Sequence, residues 1–223
     1  MGPNGSGKST LSNVIMGHPR YTVTGGEVLL DGENVLEMDV DERAKLGLFL
    51  AFQYPVEVPG LRVGKFLKRA TEITMEARGK KMNVTQFLKD VRANMDYLEM
   101  DHGWLNRYLN EGFSGGEKKR MEILQLLTLS PKYAIFDETD SGLDIDALKV
   151  VSKGINRLRG EGFGGMIITH YQRILNYIRP DRVHIMYKGK IVTSGGNELV
   201  DTLEEKGYDA IKESLGIKEE DDE

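Results

Sequence analysis

Phe113-Ser-Gly-Gly-Glu117, then Tyr133-Ala-Ile-Phe-Asp-Glu138 running into Thr139-Asp-Ser-Gly-Leu-Asp144, then Ile168-Thr-His170, follow one another in the second half of the chain. The middle stretch decides the fold. Tyr133–Phe136 is a short apolar run of the kind that forms a buried parallel strand, and it stops abruptly at two carboxylates. In an open α/β sheet ligands bind at the C-terminal ends of the strands. Asp137 is therefore placed to reach Mg²⁺, and Glu138 to polarise an attacking water. Two more apolar runs end the same way: Leu48–Phe52 closes on Gln53 and Met166–Thr169 closes on His170. The other histidines, His18, His102 and His184, are read as surface or packing residues without chemistry.

Working outward, the chain opens on Gly2-Pro-Asn4-Gly5-Ser6-Gly7-Lys8-Ser9-Thr10, a full match to the phosphate-loop pattern. Glycines at these positions let successive backbone N–H groups turn toward β- and γ-phosphates at a helix N-terminus. Lys8 then neutralises phosphate charge, and the Ser9 hydroxyl binds Mg²⁺. Ser114-Gly115-Gly116 begins another helical stretch, from Glu117 to Leu129, and presents amides and a hydroxyl at a second helix N-terminus.

These motifs, in this order, resemble those of ATP-binding-cassette ATPases. The resemblance implies ATP and Mg²⁺ as ligands, with Gln53 touching the metal and sensing the γ-phosphate, and His170 contacting the γ-phosphate and orienting the water. It also implies that Ser114, Gly115 and Gly116 bind the γ-phosphate held by a second subunit, with Asp144 along the seam. One chain then cannot complete a site, and two cassettes meet head to tail with two ATP molecules between them.

Composition bounds the rest. The 223 residues are 39% hydrophobic, enough for a buried core, and carry a formal net charge of −5. That balance argues against general nucleic-acid affinity, which needs a concentrated basic face. No long apolar span or cationic signal segment is present, so no direct membrane insertion is expected and the cytoplasm is the expected compartment. Zero cysteines exclude disulfides and any thiolate site made by this chain alone. The closing Lys218–Glu223 reads as a solvated tail.

Strands alternate with helical patterns along the chain, as a parallel α/β sheet requires. Gly26–Gly32 reads as a strand and turn, about 63–98 as a helical block, Ile174–Ile178 as a helix, Arg182–Tyr187 and Lys190–Thr193 as strands, and Asn197 onward as a short helical end. The expected architecture is a single α/β domain over 1–223: a phosphate-loop ATPase with a mainly parallel sheet core, a helical subdomain at about 60–130, and its first strands missing.

Four stretches resemble one branch of the cassette family, the SufC ATPases of the Suf iron–sulfur cluster assembly machinery. They are Phe49-Leu-Ala-Phe-Gln-Tyr-Pro-Val-Glu-Val-Pro-Gly60, Gly115-Gly-Glu-Lys-Lys-Arg120, Asp137-Glu-Thr-Asp-Ser-Gly-Leu-Asp-Ile-Asp-Ala-Leu148 and Thr169-His-Tyr-Gln-Arg173. Leu203-Glu-Glu-Lys-Gly-Tyr-Asp209 is similar to that branch as well. Thr139-Asp140 stands where transport cassettes usually carry Pro or Ala. The resemblance implies docking on SufB with SufD, or on SufB with itself, through the Tyr54–Leu61 loop and the helices that follow it. Alternative readings are the nucleotide-binding subunit of a membrane transporter and a truncated partner-binding module without turnover.

The departure from the family lies at the start. Cassettes carry a strand leading into the phosphate loop and an aromatic residue that stacks on adenine, whereas Met1 alone precedes the loop here. An N-terminally incomplete form, begun at an internal Met and binding ATP poorly, is the expectation. The absent strand would leave its neighbours with unpaired backbone groups.

Overall fold

The computed structural model describes residues 1–170 and 173–214, without the side chains of 204 and 209–214. The Lys218–Glu223 tail and residues 171 and 172 lie outside the described residues. In chain order the elements are α1 (Lys8–Ile15), β1 (Leu29–Leu30), β2 (Glu33–Asn34), α2 (Val40–Leu46), β3 (Leu48–Ala51), β4 (Val58–Arg62), α3 (Val63–Ala77), α4 (Val84–Tyr97), β5 (Tyr108–Leu109), α5 (Gly115–Leu129), β6 (Tyr133–Asp137), α6 (Ile145–Leu158), β7 (Gly164–Ile168), β8 (Val183–Tyr187), β9 (Lys190–Gly195) and α7 (Glu198–Ser214).

The central sheet is parallel, in the order β3-β6-β7. Ala134, Ile135 and Phe136 of β6 are all buried, as expected for a strand covered on both faces. The register pairs Ala51 with Phe136 and Asp137 with Ile168, so the three strands end nearly level. That alignment brings the residues following them to one edge.

Helices α3, α4 and α5 form the helical part between β4 and β6. Leu67 of α3, Met95 of α4 and Ile123 of α5 are fully buried and share one apolar cluster with Phe136 of β6 and Leu148 of α6. The helical part and the sheet therefore have a common core. The helical block splits at Gly79, whose φ of 68° ends α3, and Asn83 restarts it by accepting the Gln86 N–H at 3.0 Å.

Two expected elements differ. Residues Ile174–Ile178 make a turn rather than a helix, with the N–H groups of Tyr177 and Ile178 both donating to Ile174 O. Pro180 follows at once and disfavours helical backbone before it. Of the expected strand Gly26–Gly32, only Leu29–Leu30 pairs, with Glu33–Asn34 across Asp31 (φ 51°) and Gly32 (φ 88°). Positive φ at both positions is the requirement of a two-residue hairpin turn.

β8 and β9 form a separate antiparallel hairpin. Between β7 and β8 lies a cavity of about 530 Å³, lined by Met166, Ile168, Val183 and Met186 among others. Met1 sits at its end. Its amine donates to His184 O at 2.7 Å, and its carbonyl accepts the Met186 N–H at 2.8 Å, the bonding pattern of a parallel strand beside β8. Among the described residues β7 and β8 do not pair with each other, and Met1 lies beside β8 in strand geometry. Among the described residues no helix is long and apolar enough to cross a membrane.

Helices α5 and α6 approach closely through Gly154, where an added Cβ would lie 2.2 Å from Ile123 Cγ2. Gly154→Val should therefore destabilise the fold by about 3 kcal/mol, because overpacking outweighs the ~1 kcal/mol that a helical glycine forgoes. Urea denaturation checks this through a lower midpoint at unchanged slope.

Candidate nucleotide site

The phosphate loop is built by glycine. Gly7, in the left-handed region at φ 98°, caps α1 and frees its first N–H groups. Gly2 passes so close to β8 that a Cβ would lie 2.2 Å from Met186 O. Two further bonds fasten the loop: Gly189 N–H donates to Ser6 O at 2.9 Å, and Gly2 N–H donates to the Tyr208 hydroxyl of α7 at 3.1 Å. Lys8 is buried, and its ammonium donates to Gly2 O at 2.8 Å and Pro3 O at 2.9 Å. Burial holds its pKa below the ordinary lysine value, partly offset by Glu138 and Asp137. Asn4, Gly5 and Thr10 are exposed at the rim, and the buried Ser6 Oγ has no partner among the described residues.

At the strand ends the carboxylates divide their partners. Asp137 takes the Ser9 hydroxyl on Oδ1 at 3.0 Å and the Ser12 hydroxyl on Oδ2 at 3.1 Å. Glu138 takes Gln53 Nε2 on Oε2 at 2.6 Å and lies 3.2 Å from His170 Nδ1 through Oε1. Its backbone is left-handed, at φ 45°, and its N–H donates to Ile168 O at 2.9 Å. Such a conformation is costly for a non-glycine residue. It turns the chain sharply off β6 and aims the carboxylate along the strand edge. Ser9, Gln53, Asp137, Glu138 and His170 thus come together as the sequence anticipates. The donor set of Ser9, Asp137 and the Gln53 amide is all oxygen, which suits Mg²⁺, and among the described residues no cluster of three or more His, Asp or Glu forms a metal site of its own. A cation held with the help of phosphate oxygens fits these residues.

Ser114, Gly115, Gly116 and Asp144 face elsewhere. Ser114 forms a capping box with Glu117, its N–H donating to Glu117 Oε2 at 2.7 Å, and Asp144 caps α6 by accepting the Ala147 N–H at 2.7 Å. Ser114, Gly115 and Asp144 are exposed. His102 pairs with Asp96, and His184 lies beside Ser194 Oγ, away from the cluster.

Sequence reasoning missed four participants. Ser12 bonds Asp137 one helical turn beyond Ser9, a spacing that could have indicated it. Tyr208 reaches the loop from 206 positions away, which no local pattern reveals. Lys119 and Glu122 are both 3% exposed. A charged pair set among Met121, Ile123 and Leu124 was the available signal.

Comparison with known proteins agrees with this geometry. Residues 1–141 match the family model described as ABC transporter. The chain is an ATP-binding cassette of the ABC transporter family. "Vegetative protein 296" of Bacillus subtilis (strain 168) is 60% identical over 220 residues, 99% of this chain and 84% of that protein. A "probable ABC transporter ATP-binding protein" of Streptococcus pyogenes serotype M18 is 59% identical, over 98% of this cassette and 85% of the relative. A "probable ATP-dependent transporter" of Synechocystis is 52% identical, over 96% and 84%. Among solved structures, a nucleotide-free ATP-binding cassette from an ABC transporter superposes with TM-score 0.72 at 24% identity, covering 98% of this chain and 86% of that one. A dimeric bacterial ABC transporter cassette gives 0.72 at 22%, covering 88% and 83%. These likenesses establish the fold: α/β, with a parallel core and a helical part.

Burial raises the carboxyl pKa values of Asp137, Asp140 and Glu122, the last to about 7. A carboxyl whose folded value exceeds its unfolded one contributes stability below the unfolded value and loses it as pH rises through the folded value. For Glu122 the window runs from 4.5 to about 7. The Met1 amine, lowered to about 6 by burial, acts in the opposite sense between about 6 and its ordinary 8.0. The nucleotide-free cassette should therefore lose thermal stability from pH 4.5 toward 6, and Glu122→Gln should show a shallower decline, read from melting temperatures across that range.

Proposed function

We propose that this cassette is the ATP-hydrolysing subunit of a Suf-type iron–sulfur cluster assembly complex, acting in the cytoplasm to drive conformational change in a scaffold of SufB with SufD or of SufB alone. The single observation that carries the hydrolytic part is that Glu138 stands between Gln53 and His170 while Asp137 beside it bonds Ser9. Family membership supports ATP as ligand. In this reading the α1 N-terminus and Lys8 hold the β- and γ-phosphates. Ser9, Asp137 and Gln53 would hold Mg²⁺, which would neutralise phosphate charge. Glu138 accepts a proton as water attacks the γ-phosphorus and the bond to the β-phosphate oxygen breaks, giving ADP and phosphate, and His170 orients the water.

Ser114, Gly115, Gly116 and Asp144 act on the nucleotide of a second copy. Their exposure supports that role, as does the dimeric form of a related cassette. The Suf assignment is supported by the four branch-like stretches and by the loop after Gln53. Tyr54 is 77% exposed and Val56 73% exposed. That loop is nevertheless held in place, with Asn110 Nδ2 donating to Val56 O at 2.9 Å and Lys118 paired with Glu57 at 2.9 Å. A fixed loop that presents apolar side chains outward suits a protein partner.

The second reading, the nucleotide-binding subunit of a membrane transporter, is favoured by the names of relatives such as the Streptococcus pyogenes protein. Steady-state ATP hydrolysis with and without SufB-type scaffold separates the two. Stimulation by scaffold is the expected result, and no response moves the assignment to a transporter. Glu138→Gln should lower kcat by about 10²–10⁴-fold with ATP binding retained. Normal turnover in that variant overturns the role given to Glu138.

A further inference from the structure

Lys119 and Glu122 lie one turn apart on α5, buried, and form an ion pair at 3.0 Å. They also hold both backbone polar groups of a single residue just beyond β3. Glu122 Oε1 accepts the Phe52 N–H at 2.7 Å, and Lys119 Nζ donates to the Phe52 carbonyl oxygen. Phe52 stands just past the last paired residue of β3, Ala51, and is 49% exposed. Packing therefore does little to fix it. The next residue is Gln53, whose amide bonds Glu138.

Burying two charges costs more in desolvation than their attraction usually returns, and well-packed apolar residues join elements at least as stably. A pair kept here points to a task other than stability. We propose that Lys119 and Glu122 are positioning residues for ATP turnover: together they clamp both polar groups of Phe52, hold Gln53 against Glu138, and tie that strand end to the helix beginning with Ser114-Gly115-Gly116. Helix α5 starts at Gly115. Lys119 stands about 6 Å along its axis, close enough for a rigid turn to carry a shift of the helix end to Gln53. The clamp gives each site a mechanical link to the nucleotide bound by the opposite copy. This inference rests on the assignment of Gln53 and Glu138 to hydrolysis.

The test is the double variant Lys119→Met/Glu122→Leu, which removes the pair without stranding a lone charge. Its melting temperature should match or exceed that of the parent, and its ATP Kd should stay within about twofold, while kcat falls by about ten- to a hundredfold, the scale of a misplaced reacting group. Adding Gln53→Ala should lower kcat no further, because the clamp acts through Gln53. A parent-like kcat in a folded double variant overturns the proposal. Amide hydrogen exchange gives a readout independent of turnover: Phe52 and Gln53 should lose protection in the double variant, and unchanged protection there overturns the clamp. If Gln53→Ala alone leaves kcat intact, the assignment of Gln53 fails, and the exchange result still decides whether the clamp exists.

Discussion

The pairing of β6 with β3 on one side and β7 on the other is the constraint from which the site follows. Parallel strands in register end together, so residues far apart in sequence arrive at one edge without any contact needing to seek another. Gln53 and Glu138 are 85 positions apart, yet their side chains meet at 2.6 Å. Because β6 is central and buried, its end is the best-fixed point of the three. Nature of the residue matters there as much as position: Glu138 leaves the strand in the left-handed region and is anchored by its N–H to Ile168 O. The carboxylate proposed to take the proton is thus tied through a backbone bond to the strand that ends near His170.

Around that edge, each element brings one kind of charge. Helix α1 brings partial positive charge and the Lys8 ammonium, and the strand ends bring carboxylates. Without nucleotide these groups satisfy one another: Lys8 rests on loop carbonyls, Ser9 on Asp137, Gln53 on Glu138. In the proposed reading, ATP and Mg²⁺ would take the place of these internal partners, with Gln53 presenting its amide oxygen to the metal in place of the N–H it now donates to Glu138. The exposed Ser114–Gly115 end and Asp144 lie outside this set, and their helices are already capped.

What the sequence made legible was the chemistry at strand ends, because motif residues there sit where apolar runs stop and because parallel strands oblige those ends to coincide. Gln53, Glu138 and His170 come together at one edge for this reason, with Asp137 beside them. Short or interrupted elements were harder. Ile174–Ile178 has helical spacing, but Pro180 leaves it too little chain for more than one turn. Leu29–Leu30 is a strand only where Asp31 and Gly32 fold it back on Glu33–Asn34. Lys119 and Glu122 escaped because helical charge is ordinarily solvated, whereas here both bond the backbone of Phe52, 67 and 70 positions away.

The bond from Gly2 N–H to the Tyr208 hydroxyl joins the first turn of the sequence to its last described helix. Met1 and Tyr208 also share an apolar cluster with Val183, Ile185, Val200 and Leu203. The phosphate loop and α7, which kinks at Gly207 just before Tyr208, are therefore linked, and α7 buttresses the loop from outside the strand-end cluster. A support this far along the sequence gives the loop a partner that no local pattern near the motif reveals.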